Sequence, residues 1–281
     1  MTSLFGQLQS SLLTIGLILA AMAVVALIET VIPLQVRGRW NRTHLGPNLA
    51  LTFITFATNL VFNAALVVLL SRLQSSGVGL LHRLALPPLA TVAAVVLAFD
   101  FTSFVTHVAM HKIPSFWRHH SVHHSDLAVD VTTTIRQHPG ESVIRYGFMA
   151  TTALALGPGP GPFAVYRVWS ALHGLLEHAN VRVPLRLERL LSVVISTPNM
   201  HKIHHSRARE HTDRNFGNIF SLFDRMCFTF IPARYGTQIV YGIDGLDDPT
   251  THTTAGLLAL PFRRATASSR AEIPTLRAAG R

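Results

Sequence analysis

Long unbroken apolar runs, rather than alternating apolar and polar positions, dominate the first third of the chain. Leu12–Leu34, Asn48–Leu70 and Pro88–Met110 are three such runs. Each is long enough to cross a hydrocarbon core, which takes ~20 apolar residues as a helix. No positively charged stretch precedes the first run, and it is longer than a signal-peptide core, so an uncleaved first span is expected. Two further apolar stretches, Val143–Leu156 and Phe163–Leu176, flank the sequence Gly157-Pro158-Gly159-Pro160-Gly161-Pro162. Gly/Pro runs break helices, so this region predicts a helical hairpin that reaches the far side of a bilayer or stops within it.

The remainder is mixed and basic up to residue 237, which predicts short helices at the membrane interface. Beyond Leu260 it is rich in Ala, Thr, Ser and Arg, with Pro261 and Pro274, and disorder is expected there. The expected organisation is therefore N-terminal transmembrane helices over 1–99, a histidine-rich region over 100–237 that contains the hairpin at about 143–178, and a polar, disordered tail over 238–281. The fold class is all-α: a polytopic helical membrane protein with about four transmembrane helices, or three plus a helical hairpin, and a helical cap.

Composition sharpens this picture. Hydrophobic residues make up 49% and charged residues 14% of 281 residues, with a mean hydropathy of +0.35, which excludes an ordinary water-soluble globule. The net charge of +10 comes almost wholly from arginine, since Lys112 and Lys202 are the only lysines. No nucleic-acid module accompanies that charge, so it is assigned to cationic loops and no nucleic-acid partner is expected. Arg37, Arg39 and Arg42 crowd the loop after the first span, and Lys112, Arg118, Arg136 and Arg145 flank the end of the third. By the positive-inside rule both places face the cytoplasm. With Cys227 as the single cysteine, any metal must be held by histidine or oxygen.

Histidines supply the chemistry. His107 and His111 are four apart, and His120, His123 and His124 form a His-x2-His-His triplet that recurs as His201, His204 and His205. A helix stacks positions three and four apart on one face, so each group presents a ligand edge. Seven histidines lie between His107 and His138. Imidazoles crowded this way cost desolvation and repel when protonated, unless each lends its lone pair to a metal. Adding His178 makes nine candidates, too many for one ion of about four to six ligands and suited to two. Imidazole accepts zinc, copper, nickel or iron, so the ligands alone leave the metal open. A site at the mouth of a membrane bundle suits chemistry on an apolar substrate, and unactivated C–H bonds demand a redox metal and O2, which points to two iron ions. Zinc lacks that chemistry but is expected as a substitute in purified protein.

Around these ligands, Asp100 shares a helix face with His107 and His111 and reads either as an acceptor for a ligand imidazole N–H or as a structural hydrogen bond to a neighbouring helix. His138 reads as a ligand, a group that supports the ligands from behind or a loop residue, with support favoured, and His173, off the face of His178, is a weaker ligand candidate than His178. Asn180 and Asn199 are candidate orienting groups. His44, His82, His211 and His252 read as ordinary surface or interfacial residues. The competing class is a metal-handling transporter or sensor, which would line a path through the spans with histidines.

From Asp100 to Phe230 the chain resembles the fatty acid hydroxylase / sterol desaturase superfamily of integral-membrane diiron enzymes. The resemblance rests on Asp100, Phe104, His107 and His111; on Trp117, His120, His123, His124 and Ser125; on His138-Pro139 and His178-Ala179-Asn180; on Thr197, Pro198, His201, His204, His205 and Ser206; and on Asn215-Phe216-Gly217 with Asp224-Arg225. Val108 stands where the family often has a basic residue, Phe223 where it has Trp, and Phe228 where it has Gly. The resemblance implies O2-dependent hydroxylation or desaturation of a lipid such as a sterol, fatty acyl or terpenoid chain. It also implies electrons from a separate donor, whether a ferredoxin, a cytochrome or a reductase.

Overall fold

A computed structural model describes residues 4–36, 42–233 and 239–263. The described residues are helical, with isolated bridges and no sheet. Three helices, α1 (Leu4–Val31), α2 (Arg42–Ser76) and α4 (Pro88–Lys112), contain segments long and apolar enough to cross a membrane. Between the last two lies a short helix, α3 (Leu80–Leu84). Proline sets where the later helices begin. Pro88, Pro114, Pro139, Pro160 and Pro198 each occupy the first turn of a helix, where the missing N–H costs nothing. Ile113 is extended because it precedes Pro114, so α4 stops and α5 (Pro114–His124) starts in a new direction.

The Gly/Pro run makes the expected hairpin from α6 (Pro139–Leu156) and α7 (Pro160–His178). Gly157 ends α6 in the left-handed conformation, φ 64°, and a side chain there would strike the Val78 carbonyl oxygen. The tip therefore sits against the loop that follows α2. Each arm is 18 or 19 residues, roughly 28 Å, so the hairpin reaches the far end of α2 rather than stopping midway. Leu70 and Leu73 of α2, Phe99 of α4, Met149 and Ala153 of α6 and Tyr166 of α7 form the main buried core between these helices.

Short helices cap one end: α8 (Leu185–Leu191), α9 (Pro198–His204), α10 (Arg209–Thr212) and α11 (Leu222–Met226). The segment expected to begin a disordered tail at 238 is folded as far as the described residues reach. Ile239 and Tyr241 pack on Val129 and Ile203, and Leu257 of α12 (Thr254–Ala259) is buried against Leu51 and Val122. Ile239, Tyr241 and Leu257 are buried while Val240 and Phe262 of the same stretch are exposed, a division that composition does not reveal. Residues 264–281 of the expected tail lie outside the described residues, as do Arg37 and Arg39.

Buried polar groups staple the cap to the spans. Arg136 is fully buried and donates to the Val122 carbonyl at 3.0 Å, Asn48 Oδ1 at 2.8 Å and Ser125 Oγ at 2.8 Å. Asn48 donates to Asp126 at 3.0 Å, and His44 bridges Asp126 and Asp130, each at 2.9 Å. His44 is thus a structural cross-link rather than a surface residue; α2 begins a turn and a half earlier than its apolar run, and that polar start carries it into the cap. Against the opposing effect of burial, the Arg136 and His44 charges and the hydrogen bonds from His44 and Thr133 hold the Asp126 carboxyl well below the usual range. On α1, Glu29 accepts from Val131 N at 2.9 Å and Asn180 N at 2.7 Å. Arg136→Met strands a buried acid and three acceptors, and is expected to destabilise the protein by about 3–5 kcal/mol. Thermal or denaturant unfolding in detergent measures this, and a loss below about 1 kcal/mol contradicts the staple.

Candidate metal centre

All nine proposed ligands converge. His107, His111, His120, His124 and His204 place one ring nitrogen each within a common 4.8 Å, and His123, His178, His201 and His205 do the same beside them. Helix spacing produces this partition. His107/His111 end α4, His120/His124 share a face of α5, and His201/His205 share a face at the end of α9, so each pair four apart points one way. His123 and His204 then project sideways from their own triplets into the other group, so each triplet feeds both clusters. The groups touch: the rings of His124 and His205 stack at 4.6 Å and 19°.

The nitrogen geometry fits metal ions better than it fits hydrogen bonds. His178 Nε2 lies 3.1 Å from His123 Nε2, 3.0 Å from His201 Nε2 and 3.3 Å from His205 Nε2. A neutral imidazole nitrogen carries one hydrogen or one lone pair, so three such contacts cannot all be hydrogen bonds. They do match the edges of a coordination polyhedron, about 3.0–3.4 Å for metal–nitrogen bonds of ~2.1 Å. In the first cluster His120 Nε2 is 3.1 Å from His107 Nε2 and 3.2 Å from His124 Nε2. There, His111 Nε2 and His204 Nε2 are buried with no protein partner.

Several opposite ring nitrogens are pinned, which fixes the tautomer that frees Nε2. His107 Nδ1 donates to the Phe216 carbonyl at 2.9 Å, His178 Nδ1 to the Gly174 carbonyl at 2.8 Å and His204 Nδ1 to the Arg214 carbonyl at 2.8 Å. His120 Nδ1 lies 3.1 Å from Glu141 Oε2, His111 Nδ1 lies 3.3 Å from Asp213 Oδ1, and Glu177 stands 3.9 Å from His201 Nδ1. Burial first, and neighbouring imidazoles second, push His120, His123, His124, His201 and His205 well below the ordinary histidine range. Burial lowers His204 to about 4 against the opposing pull of its bond to the Arg214 carbonyl. Neutral imidazole is the ligand form, so these buried clusters are able to bind metal.

The surrounding residues differ from expectation. Asp100 does not meet an imidazole; its carboxylate accepts from Ile219 N at 3.0 Å, Phe220 N at 2.9 Å and Asn218 Nδ2 at 2.8 Å, so its structural alternative is the one observed. Asp224 accepts from Phe216 N at 2.8 Å and Gly217 N at 2.7 Å. Together the two acids hold the loop whose carbonyl at Phe216 orients His107. Asn215 is left-handed at φ 54° and bonds Met200 and Ile231, and a side chain at Gly217 would lie 2.6 Å from the Phe220 carbonyl oxygen, which explains the Asn-Phe-Gly sequence locally. Phe228, where the family has Gly, is also left-handed at φ 58°.

His138 caps α6 by accepting from Gly140 N at 3.0 Å and contacts His119, away from the clusters. His173 Nε2 donates to the Ser196 carbonyl at 2.9 Å, and Asn180 bonds the Gln35 backbone at 3.0 Å through both amide atoms. Asn199 N donates to Glu188 Oε1 at 3.3 Å, and its buried side-chain amide reaches no ligand. Sequence reasoning passed over Glu141, Asp213 and Glu177. Glu141 and Glu177 were detectable as acids at the edges of apolar stretches, where an ionisable group is expensive.

A polytopic helical protein with two buried histidine clusters at one end of its spans is the class that this fold and site define. Residues 92–229 match the family described as fatty acid hydroxylase, and the chain belongs to that family. The chain is 28% identical over 144 residues to alkylglycerol monooxygenase of Caenorhabditis elegans, a match covering 51% of this chain and 28% of that protein. It is 29% identical over 165 residues to ornithine lipid hydroxylase OlsE of Rhizobium tropici, covering 59% and 48%. It is 26% identical over 138 residues to a cholesterol 25-hydroxylase-like protein of Danio rerio, covering 48% and 53%. The chain thus spans about half, or less, of the curated relatives it matches. No solved structure matches.

Glu141→Gln keeps the shape at His120 while removing the carboxylate charge. It is expected to weaken metal retention by about 10–100-fold in a chelator competition. Unchanged retention would remove Glu141 from the account.

Proposed function

We propose that this chain is a membrane-bound oxygenase that hydroxylates a lipid, with two iron ions held by His107, His111, His120, His124 and His204 on one side and His123, His178, His201 and His205 on the other. The observation that carries the reading is the convergence of these nine ring nitrogens, desolvated and neutral, at one end of a membrane bundle. When bound, the metal pair supplies the O2 activation and the oxidising power that an unactivated C–H bond requires. Electrons come from a separate donor, a ferredoxin, cytochrome or reductase.

The chain's own residues do the rest. Carbonyls at Phe216, Gly174 and Arg214 keep the protons on Nδ1, so that His107, His178 and His204 present lone pairs without rearrangement. A cavity of about 450 Å³ runs between α1, α2, α6 and α7 and ends on His107, His123, His178 and His201. It offers an alkyl chain a route to the clusters from within the bundle. The relatives are named for ether-lipid, ornithine-lipid and sterol chemistry, and a lipid substrate follows for this chain by likeness. Hydroxylation is favoured over desaturation on the same ground. A transporter would need a histidine path, whereas the boxed histidines gather at one end.

Feeding 18O2 to a host that expresses the chain tests this reading: a membrane lipid is expected to gain one 18O, and His123→Ala or His204→Ala to abolish the gain. Iron-loaded wild-type protein that leaves the lipids unlabelled would sink it. The cap is assigned to the cytoplasm on the strength of Arg118, Arg186, Arg189, Arg209 and Arg214; Lys112, Arg136 and Arg145 carry less weight because their charges pair internally. Cys227, the single and exposed cysteine beside α11, reports on this directly. A membrane-impermeant maleimide is expected to label it in inside-out vesicles and not in intact cells, and the reverse pattern overturns the orientation.

A further inference from the structure

The cavity has a polar belt well away from the histidines. Arg167 lies on α7 about midway along it, half-buried, with its Nη2 donating to Tyr146 Oη at 3.3 Å and its guanidinium 5.6 Å from the centre of that ring. Among the described residues no carboxylate pairs with it. Tyr146 Oη in turn donates to the Asn59 carbonyl at 3.4 Å, which sets Asn59 of α2 at the same level. The Asn59 side-chain oxygen is buried with no partner, and Asn63, one turn along, also lines the cavity. On α1, Thr14 precedes Glu29 by 15 residues while Arg167 precedes Asn180 by 13, and Glu29 bonds Asn180, so Thr14 falls within about 3 Å of the same level.

A guanidinium has five N–H donors and stays charged at any ordinary pH. Inside a membrane bundle such a group is expensive unless something anionic meets it. Towards the histidines α7 presents Val168, Ala171 and Gly174, with Ile18 and Ile135 across from them; Ser103, Gln137, Arg145, Glu177 and Asn218 also line the cavity, and the Arg145 charge is paired with Glu141. The hydroxyls in that stretch are already engaged, Ser170 by Asn218 and Thr134 by backbone carbonyls. From Arg167 to His178 is 11 residues of helix, roughly 16 Å. A zigzag alkyl chain of ~1.5 Å bonds advances roughly 1.3 Å per bond, so this is about a dozen bonds.

The geometry points to an anchoring subsite: Arg167, with Tyr146 Oη and Asn59, binds the anionic end of a long-chain lipid, and the chain runs along α7 so that a carbon about a dozen bonds away meets the histidine clusters. This rests on the hydroxylase reading, for which it names the substrate class, an anionic single-chain amphiphile held chain-first towards the metal centre. Arg167 is a specificity residue in this scheme, remote from the reacting atoms.

Equilibrium binding of radiolabelled palmitate and hexadecanol to the purified full chain in detergent at pH 8 tests it without turnover. Wild-type protein is expected to bind palmitate at least ten-fold more tightly than hexadecanol, and millimolar inorganic phosphate not to compete. Arg167→Gln should bring palmitate down to the hexadecanol level while changing hexadecanol binding less than two-fold, and Arg167→Lys should keep part of the preference. Hexadecanol binding also shows that each variant is folded. Equal affinities in the wild type, a preference that survives Arg167→Gln, or displacement of palmitate by phosphate alone would each overturn the anchor. Because binding needs neither iron nor O2, an inactive protein that still prefers palmitate would count against the oxygenase reading alone, and an active protein without the preference against the anchor alone.

Discussion

Nine imidazole nitrogens brought out of water with nothing but one another to face is the constraint on which this structure depends. Without a shared electrophile the arrangement would be strongly unfavourable, since the lone pairs repel and the buried rings resist protonation. Several of the rings are held from behind. That work is distributed over distant parts of the chain: a carbonyl within α7 for His178, the Arg214–Phe216 segment for His204 and His107, and acids from α6 and α7 near His120 and His201. The loop through residues 214–220 is itself held by Asp100 from a membrane span and Asp224 from the cap. Spans and cap are therefore not separable units, because the ring orientation of a cap histidine is set by backbone that a span carboxylate positions.

The same logic governs the junction between membrane and cap. Apolar spans have no preferred depth relative to one another, and van der Waals packing alone leaves register loosely specified. Buried polar cross-links supply register here. Glu29 ties the end of α1 to Val131 and Asn180, Asn48 and His44 tie the start of α2 to Asp126 and Asp130, and Arg136 closes the set. Lys202, one of two lysines in the chain, is buried and donates to the carbonyls of His178 and Ala179 at 2.8 Å, which locks α9 onto the end of α7. Of the partners in these links, Asp126, Asn180 and Lys202 sit within two residues of a boxed histidine. The hydrophobic segments bring the helices together, and the polar ones fix where the histidines end up.

Much of this was readable in one dimension. Apolar length gave the spans, the Gly/Pro run the hairpin, and three- and four-residue spacing the ligand edges, because all three are local properties. What was not readable is non-local. Nothing near Asp100 says that its partners lie at 218–220, nor does His138-Pro139 announce a helix cap rather than a support for the metal ligands. His173 and Asn180 sit beside a ligand in sequence yet bond to Ser196 and Gln35. The partition of the two triplets into mixed clusters, with His123 and His204 crossing over, also depends on how α5 and α9 face each other. The stretch from 239 to 263 was expected to belong to a polar tail, although Ile239, Tyr241 and Leu257 are each buried.

The central claim, that two adjoining histidine clusters hold two metals with His204 and His123 belonging to different ones, is tested most directly by metal analysis of the full chain purified without a histidine tag. Two iron ions per chain are expected in the wild type, with His204→Ala and His123→Ala each losing one while the protein stays folded. Less than one metal per chain in the wild type, unchanged by either substitution, would contradict it.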